Sequence, residues 1–321
     1  MLLASGPAAL TGSAAPAPLV LEARIPLGEV GGRIDHLTVD LKRQRLFVAE
    51  LGNDSVGVVD LKSATLLRTL TGLSEPQGIV FVPLRDELYV ANGGDGTVRV
   101  FRGPDLSLSA TIALGEDADN LRLDTRRGQV VAGYGNGGLA LIDTDSHRTL
   151  ANIALQGHPE GFQISDDGKR AYVNVPGKNQ IAVVDLEARK QLSSWPTEGL
   201  RANFPMAMEA AGSASWVAFR SPPRLVRFDT RQGKATLSLN TCSDSDDVFI
   251  DASRHRVFVI CGGGTLEVWE QAGPTYARVA SLPTFPGART GLFVPELDRL
   301  FVATRTSMGH PASILVFRSN P

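Results

Sequence analysis

Several things are missing from this chain, and each absence narrows what it can be. No apolar run among its 321 residues approaches the roughly 18 positions that a spanning helix requires, so no membrane span is expected. Charge of one sign is not in excess. The formal net charge is −2 with 21% charged residues, and the basic field that nucleic-acid binding draws on is absent, so no nucleic acid is expected. Cysteine occurs only twice and never as C-x-x-C-H, which removes covalent haem attachment. The sequence contains no G-x-S-x-G elbow, Walker loop, H-E-x-x-H or Rossmann fingerprint between a strand and a helix, which disfavours nucleophilic-serine and nucleotide chemistry. Helical periodicity does not persist over a dozen residues anywhere, and almost no helix is expected.

What is present is a strand motif that returns seven times: LFVAE (46–50), LYVAN (88–92), VVAGY (130–134), AYVNV (171–175), SWVAF (215–219), VFVIC (257–261) and LFVAT (300–304). The starts lie 41 to 44 residues apart, the spacing of propeller blades. Each motif runs into a polar turn such as Gly93-Gly94-Asp95-Gly96 and then a second strand, which is the pattern of a hairpin. A further strand begins about ten residues upstream and a fourth follows the hairpin, giving four antiparallel strands per unit. The expected fold is an all-β, seven-bladed propeller. The seventh unit ends at SILVFRSNP without a fourth strand, while LVLEARIPLG (19–28) reads as a fourth strand without a blade, so the N-terminal strand is expected to complete the last blade. Residues 19–321 are read as one propeller domain. Residues 1–18, uncharged and rich in Ala, Gly, Ser and Pro, are read as a disordered leader or the remnant of a secretory signal, which points to a periplasmic or secreted protein.

The strand LYVAN with its Gly/Asn turn, the run AYVNV-PGKNQ-IAVVDL, and Pro76-x-Gly78 opening an inner strand together resemble the YVTN-type repeat, and over residues 19–321 the chain resembles the YncE-like family of bacterial propellers. The resemblance implies the fold and leaves the activity open, since propellers host lactonases, lyases and plain binding scaffolds alike.

Antiparallel order brings two rows of residues to one end of the ring. The inner row, just ahead of the innermost strands, reads Asp35, Gln77, Asp119, Glu160, Phe204, Asp246 and Arg289, followed by His36, Gly78, Asn120, Gly161, Pro205, Asp247 and Thr290. Where blade 2 keeps Pro-x-Gly, five blades carry ionisable or polar residues. Four carboxylates at one register suggest a bound cation, a cationic substrate or acid/base work; capping of turns by Asp and Asn is the alternative. Arg289 does not fit capping and suits an anionic group. Asp35, His36, Asp119, Glu160 and Arg289 are the candidate catalytic residues. Glu50, Asn92, Asn120, Tyr134, Asn174, Asn203, Arg220, Asp246 and Arg305 are the candidate ligand contacts, with the acids concentrated in the first four blades and the arginines in the last three. A divalent metal held by His36, His158 and Asp247 is a further option, against exposed or hydrogen-bonded histidines.

Cys242 and Cys261 fall at the same end of blade 6, where a disulfide is geometrically reasonable; two reduced thiols are the alternative. The blade-seven turn TRTSMGHPASI is longer than its counterparts and is read as a lid or an ordinary loop. The expected partner is a small polar or anionic ligand bound by a monomer. Two functions remain open: a hydrolase or lyase working at the funnel, with or without a divalent metal, and a non-catalytic binding or interaction scaffold of the cell envelope.

Overall fold

The computed structural model describes residues 17–321 apart from Met308. Most of the expected leader, and one residue of the blade-seven turn, lie outside the described residues. The described chain forms seven four-stranded antiparallel sheets, and helix is confined to four single 3₁₀ turns. Six sheets are made in chain order, with blade 1 spanning 37–70, blade 2 76–113, blade 3 118–154, blade 4 162–196, blade 5 201–240 and blade 6 245–283. The seventh joins Gly291–Val294, Arg299–Thr304 and Ser313–Ser319 to the N-terminal strand Leu19–Pro26. The expected closure is observed. Leu19, Ile25 and Leu27 of the closing segment are no more than 2% exposed.

Successive side chains of a strand point to opposite faces. Here both faces of each sheet are covered, so the second strands read as unbroken apolar runs. In blade 1, Leu46 and Val48 pack toward blade 7 while Phe47 and Ala49 pack toward blade 2. The core is consequently seven separate inter-blade layers, one per seam of the ring.

Two features at the rim and base fix the blades. Every outer strand carries a one-residue β-bulge at the same register, leaving Glu22, Leu67, Ser109, Leu150, Leu192, Thr236 and Val279 as the extra residues. At the base, a D-x-x-R turn recurs. Asp40 accepts bonds from the Arg43 amide and guanidinium, and Arg43 reaches Asp86 of blade 2 at 2.6 Å. Asp251 and Arg254 do the same toward Asp298 of blade 7 at 2.8 Å. Asp124 and Arg127 reach the Gly168 carbonyl of blade 4. These basal aspartates are turn caps in the full sense.

Candidate functional site

The inner strands converge on the ring axis, and the residues just ahead of them crown it. At two positions backbone must pass backbone: a Cβ on Gly78 would lie 2.1 Å from the Asp119 carbonyl, and one on Gly161 would lie 2.4 Å from the Phe204 carbonyl. Only glycine permits that approach. Elsewhere in the row side chains make the joint. The Asp247 carboxylate accepts the Gly291 amide at 2.8 Å, and the Thr290 hydroxyl donates to the Ile34 carbonyl at 3.2 Å. Asp35, Asp119, Glu160 and Asp246 accept no backbone N–H among the described hydrogen bonds, in contrast to the basal aspartates, so capping does not account for them.

These acids line two spaces that share part of their walls. The inner chamber, of about 30 Å³, is walled by Asp35, His36, Asp119, Asn120, Glu160, Asp246 and Asp247 among others. The outer cavity, of about 270 Å³, shares Asp119, Glu160 and Asp246 and adds Gln77, Asp117, His158, Arg220 and Arg289. Arg33 borders both. Six carboxyl groups therefore face three guanidinium groups and two imidazoles.

The arginines are already engaged. Arg33 donates to Asp35 at 2.7 Å. Arg289 meets Asp246 at 3.0 Å and Asp244 at 3.1 Å. Arg220 pairs with Asp246, donates to the Ser245 carbonyl at 2.9 Å and lies over the Phe204 ring at 4.0 Å. The carboxylates that answer Arg220 and Arg289 come from the neighbouring blade 6 and not from across the channel. The segment that carries them is closed by the Cys242–Cys261 disulfide, whose Cα atoms are 6.0 Å apart.

The opposite sector is short of positive charge. His158 Nδ1 donates to the Gly135 carbonyl at 2.6 Å, while Nε2 faces Asp119 at 3.4 Å and Glu160 at 4.0 Å. Its hydrogen bond to Asp119, opposed by burial and helped by the Gly135 carbonyl, pushes the imidazole up to about 9. Burial, reinforced by the Asp119 charge, pushes the Glu160 carboxyl up to about 8. Burial likewise raises Asp247 to about 7 against the pull of His36, and raises Asp246 against that of Arg220. Carboxyl groups crowded together out of water hold protons because too few cations are present.

His36 stands 3.6 Å from Asp35 and 3.9 Å from Asp247. The expected metal set of His36, His158 and Asp247 is not the one brought together: the cluster within ligating range is Asp119, His158 and Glu160. Several expected contacts are structural. Asn92 donates to the Val90 and Thr97 carbonyls, and Asn174 to those of Phe204 and Pro205, while Asn203 joins Asn174 to the Gln180 carbonyl. Glu50 is fully buried against Ser55. The Tyr134 ring covers Gly138, where a Cβ would lie 2.5 Å away. Arg305 is exposed over Gly287, and the His310 ring lies tilted against Phe285 at 5.0 Å; neither borders the two spaces.

Sequence reading passed over Arg33, Asp117, Asp244 and Arg122. Arg122 occupies the inner-strand register whose counterparts in the other blades are Thr38, Val80, Gln163, Ala207, Phe249 and Leu292. It lies over the Phe162 ring at 5.5 Å, and burial lowers its pKa against the pull of Asp247 and Asp119. A charge in the middle of the apolar strand NLRLD was the available signal.

A ring of seven four-stranded blades with a polar axial funnel defines a β-propeller, and solved structures agree with that class. One chain, "Kuenenia stuttgartiensis Hydrazine Synthase", superposes with a TM-score of 0.77 at 15% identity, covering 98% of this chain and 99% of that one. A chain of "Crystal Structure of Mitotic Checkpoint Complex" superposes with a TM-score of 0.80 at 13% identity, covering 99% and 98%. Likeness at such identity shows the fold alone. No family model and no curated protein matches the sequence.

Proposed function

We propose that the protein is an extracytoplasmic, YncE-like propeller that binds a small polar ligand, anionic or zwitterionic, in its axial funnel. One observation carries the reading: every blade sends a side chain to the single outer cavity, with Arg33, Arg220 and Arg289 on one part of its wall and Asp119, His158 and Glu160 on another. A volume of about 270 Å³ sits just below the usual range for small-molecule pockets, roughly 300–1,000 Å³, and suits a compact metabolite. The YVTN-like repeats support the family, and the Cys242–Cys261 disulfide supports an oxidising compartment. Calorimetry and melting curves with small organic acids and amino acids test the reading. Arg289→Ala and Arg220→Ala should abolish a response that Arg305→Ala retains; a response indifferent to both funnel variants would refute it.

Catalysis as a hydrolase or lyase is the second reading, favoured by Glu160, which keeps a proton near neutrality beside an imidazole and is thereby suited to general-acid work. Glu160→Gln should then lower turnover of a lactone or ester panel by about 10²-fold or more. Ligand binding without turnover in the parent protein would favour the non-catalytic envelope scaffold.

A further inference from the structure

We propose that Asp119, His158 and Glu160 hold a first-row divalent cation of the zinc class, whose open coordination positions face the outer cavity. One ligand atom from each of the three lies within 4.8 Å of the others, and the His158 Nε2 to Asp119 separation is 3.4 Å. Donors about 2.1 Å from a tetrahedral metal stand about 3.4 Å apart, so the imidazole and Asp119 are already spaced for it, and Glu160, 4.0 Å from the imidazole, needs to close by about half an ångström on that side.

The imidazole is also set for the task. With Nδ1–H committed to the Gly135 carbonyl, the nitrogen that can exchange its proton for a metal is Nε2, the atom that faces the two carboxylates. Binding of the other ring N–H by a backbone carbonyl is the usual outer-shell arrangement of a metal-ligating histidine, since it fixes tautomer and ring angle together. A second mark of an unfilled polar site stands next to the triad. Asn120, 3% exposed in the wall of the inner chamber, donates to Asp119 at 3.3 Å while its own Oδ1 has no partner. The arginines that share this cavity, Arg33, Arg220 and Arg289, are paired with Asp35, Asp244 and Asp246, and none of the described ion pairs joins an arginine to Asp119 or Glu160. One imidazole with two carboxylates is a mixed N/O set that suits Zn²⁺ and its neighbours. The remaining positions open toward the cavity assigned above to the ligand, so a ligand oxygen can reach the metal.

The inference rests on the same funnel as the proposed function but is tested without any organic ligand. Full-length, untagged protein stripped with chelator and dialysed against Zn²⁺ should retain one equivalent per chain by elemental analysis. Co²⁺ should give visible absorption bands of a four- or five-coordinate site. Glu160→Gln, which keeps the side-chain shape, and His158→Ala should each weaken Zn²⁺ binding at least tenfold in calorimetry, while His255→Ala and His310→Ala bind as the parent does. Should His158→Ala fail to fold by circular dichroism, Glu160→Gln and Asp119→Asn decide. No stoichiometric Zn²⁺, or binding unchanged in the triad variants, would overturn the assignment. Zinc bound without any response to organic acids would keep the metal and remove the ligand reading; an Arg289-dependent ligand response without zinc would do the reverse.

Discussion

Asp247 shows how a single carboxyl group can take opposite parts in the joint between blades and in the charge of the funnel. It is fixed by the Gly291 amide yet held up to about 7 by burial. In the unfolded chain it releases its proton near 3.8, whereas the folded protein keeps it to about 7. Between those values the unfolded state binds fewer protons, so this group makes stability fall as pH rises through the window and level off above it. In chelator-treated protein, urea midpoints measured from pH 4 upward should show that decline, and Asp247→Asn, which can still accept the Gly291 amide, should flatten it. Arg122 is the counter-charge below. Its replacement by methionine preserves bulk but leaves Asp119 and Asp247 without their buried cation, and a loss of about 3 kcal/mol in urea unfolding is expected. A parent-like midpoint would mean that the histidines alone balance these acids.

At the scale of the element, the segment from Cys242 to Cys261 joins stability to site geometry. The disulfide spans 19 residues and encloses Asp244 and Asp246, the partners of Arg220 and Arg289. Replacing both cysteines by serine should cost about 3 kcal/mol by the chain-entropy estimate for such a loop, read as a lower melting temperature. It should also weaken any Arg289-dependent ligand response more than it lowers the melting temperature of a ligand-free Arg289→Ala protein. The strands and hairpin of blade 6 were legible in the sequence, because VFVIC and TLEVWEQ carry their apolar runs locally and the glycine turn between them is local too. The pairing of Asp246 with Arg220 and Arg289 was not, since it depends on the angle at which three blades meet. Nor was it legible that Asn92, Asn174 and Asn203 turn inward to bond carbonyls: an asparagine at the end of a strand has the same local sequence whether it faces a ligand or a neighbouring backbone. The outer-strand bulges escaped notice for a related reason, because one extra residue alters register without altering composition. With Leu67, Leu150, Leu192 and Val279 between 43% and 47% exposed at those bulges, the kink interrupts the flat hydrogen-bonding edge that a foreign strand would need.

At the scale of the molecule, seven inter-blade layers are alike in kind, and the two that flank blade 7 contain residues of both terminal strands. The count of seven and the closing strand could be read from the sequence because repetition is a property of order along the chain; the funnel could be read only as a register, since which acids meet depends on the ring being shut. Deleting residues 19–26 removes Leu19 and Ile25 from two layers and leaves Ser313–Ser319 as an open edge. Loss of a single cooperative thermal transition and concentration-dependent association in size-exclusion chromatography are expected, and a melting temperature within a few degrees of the parent would show that the seam contributes little. The seam also sets an order in time. Leu19–Pro26 is made ahead of the other described strands and its partner Ser313–Ser319 after them, so six blades can form while Leu19–Pro26 waits unpaired. Until blade 7 has been made the ring has a gap, and Thr290 of that blade has yet to bond Ile34 beside the Asp35–His36 corner of the funnel. Synthesis of Ser313–Ser319 is thus the event that lets the axial funnel close, and a chain cut short within that strand would carry six complete blades and no closed axis.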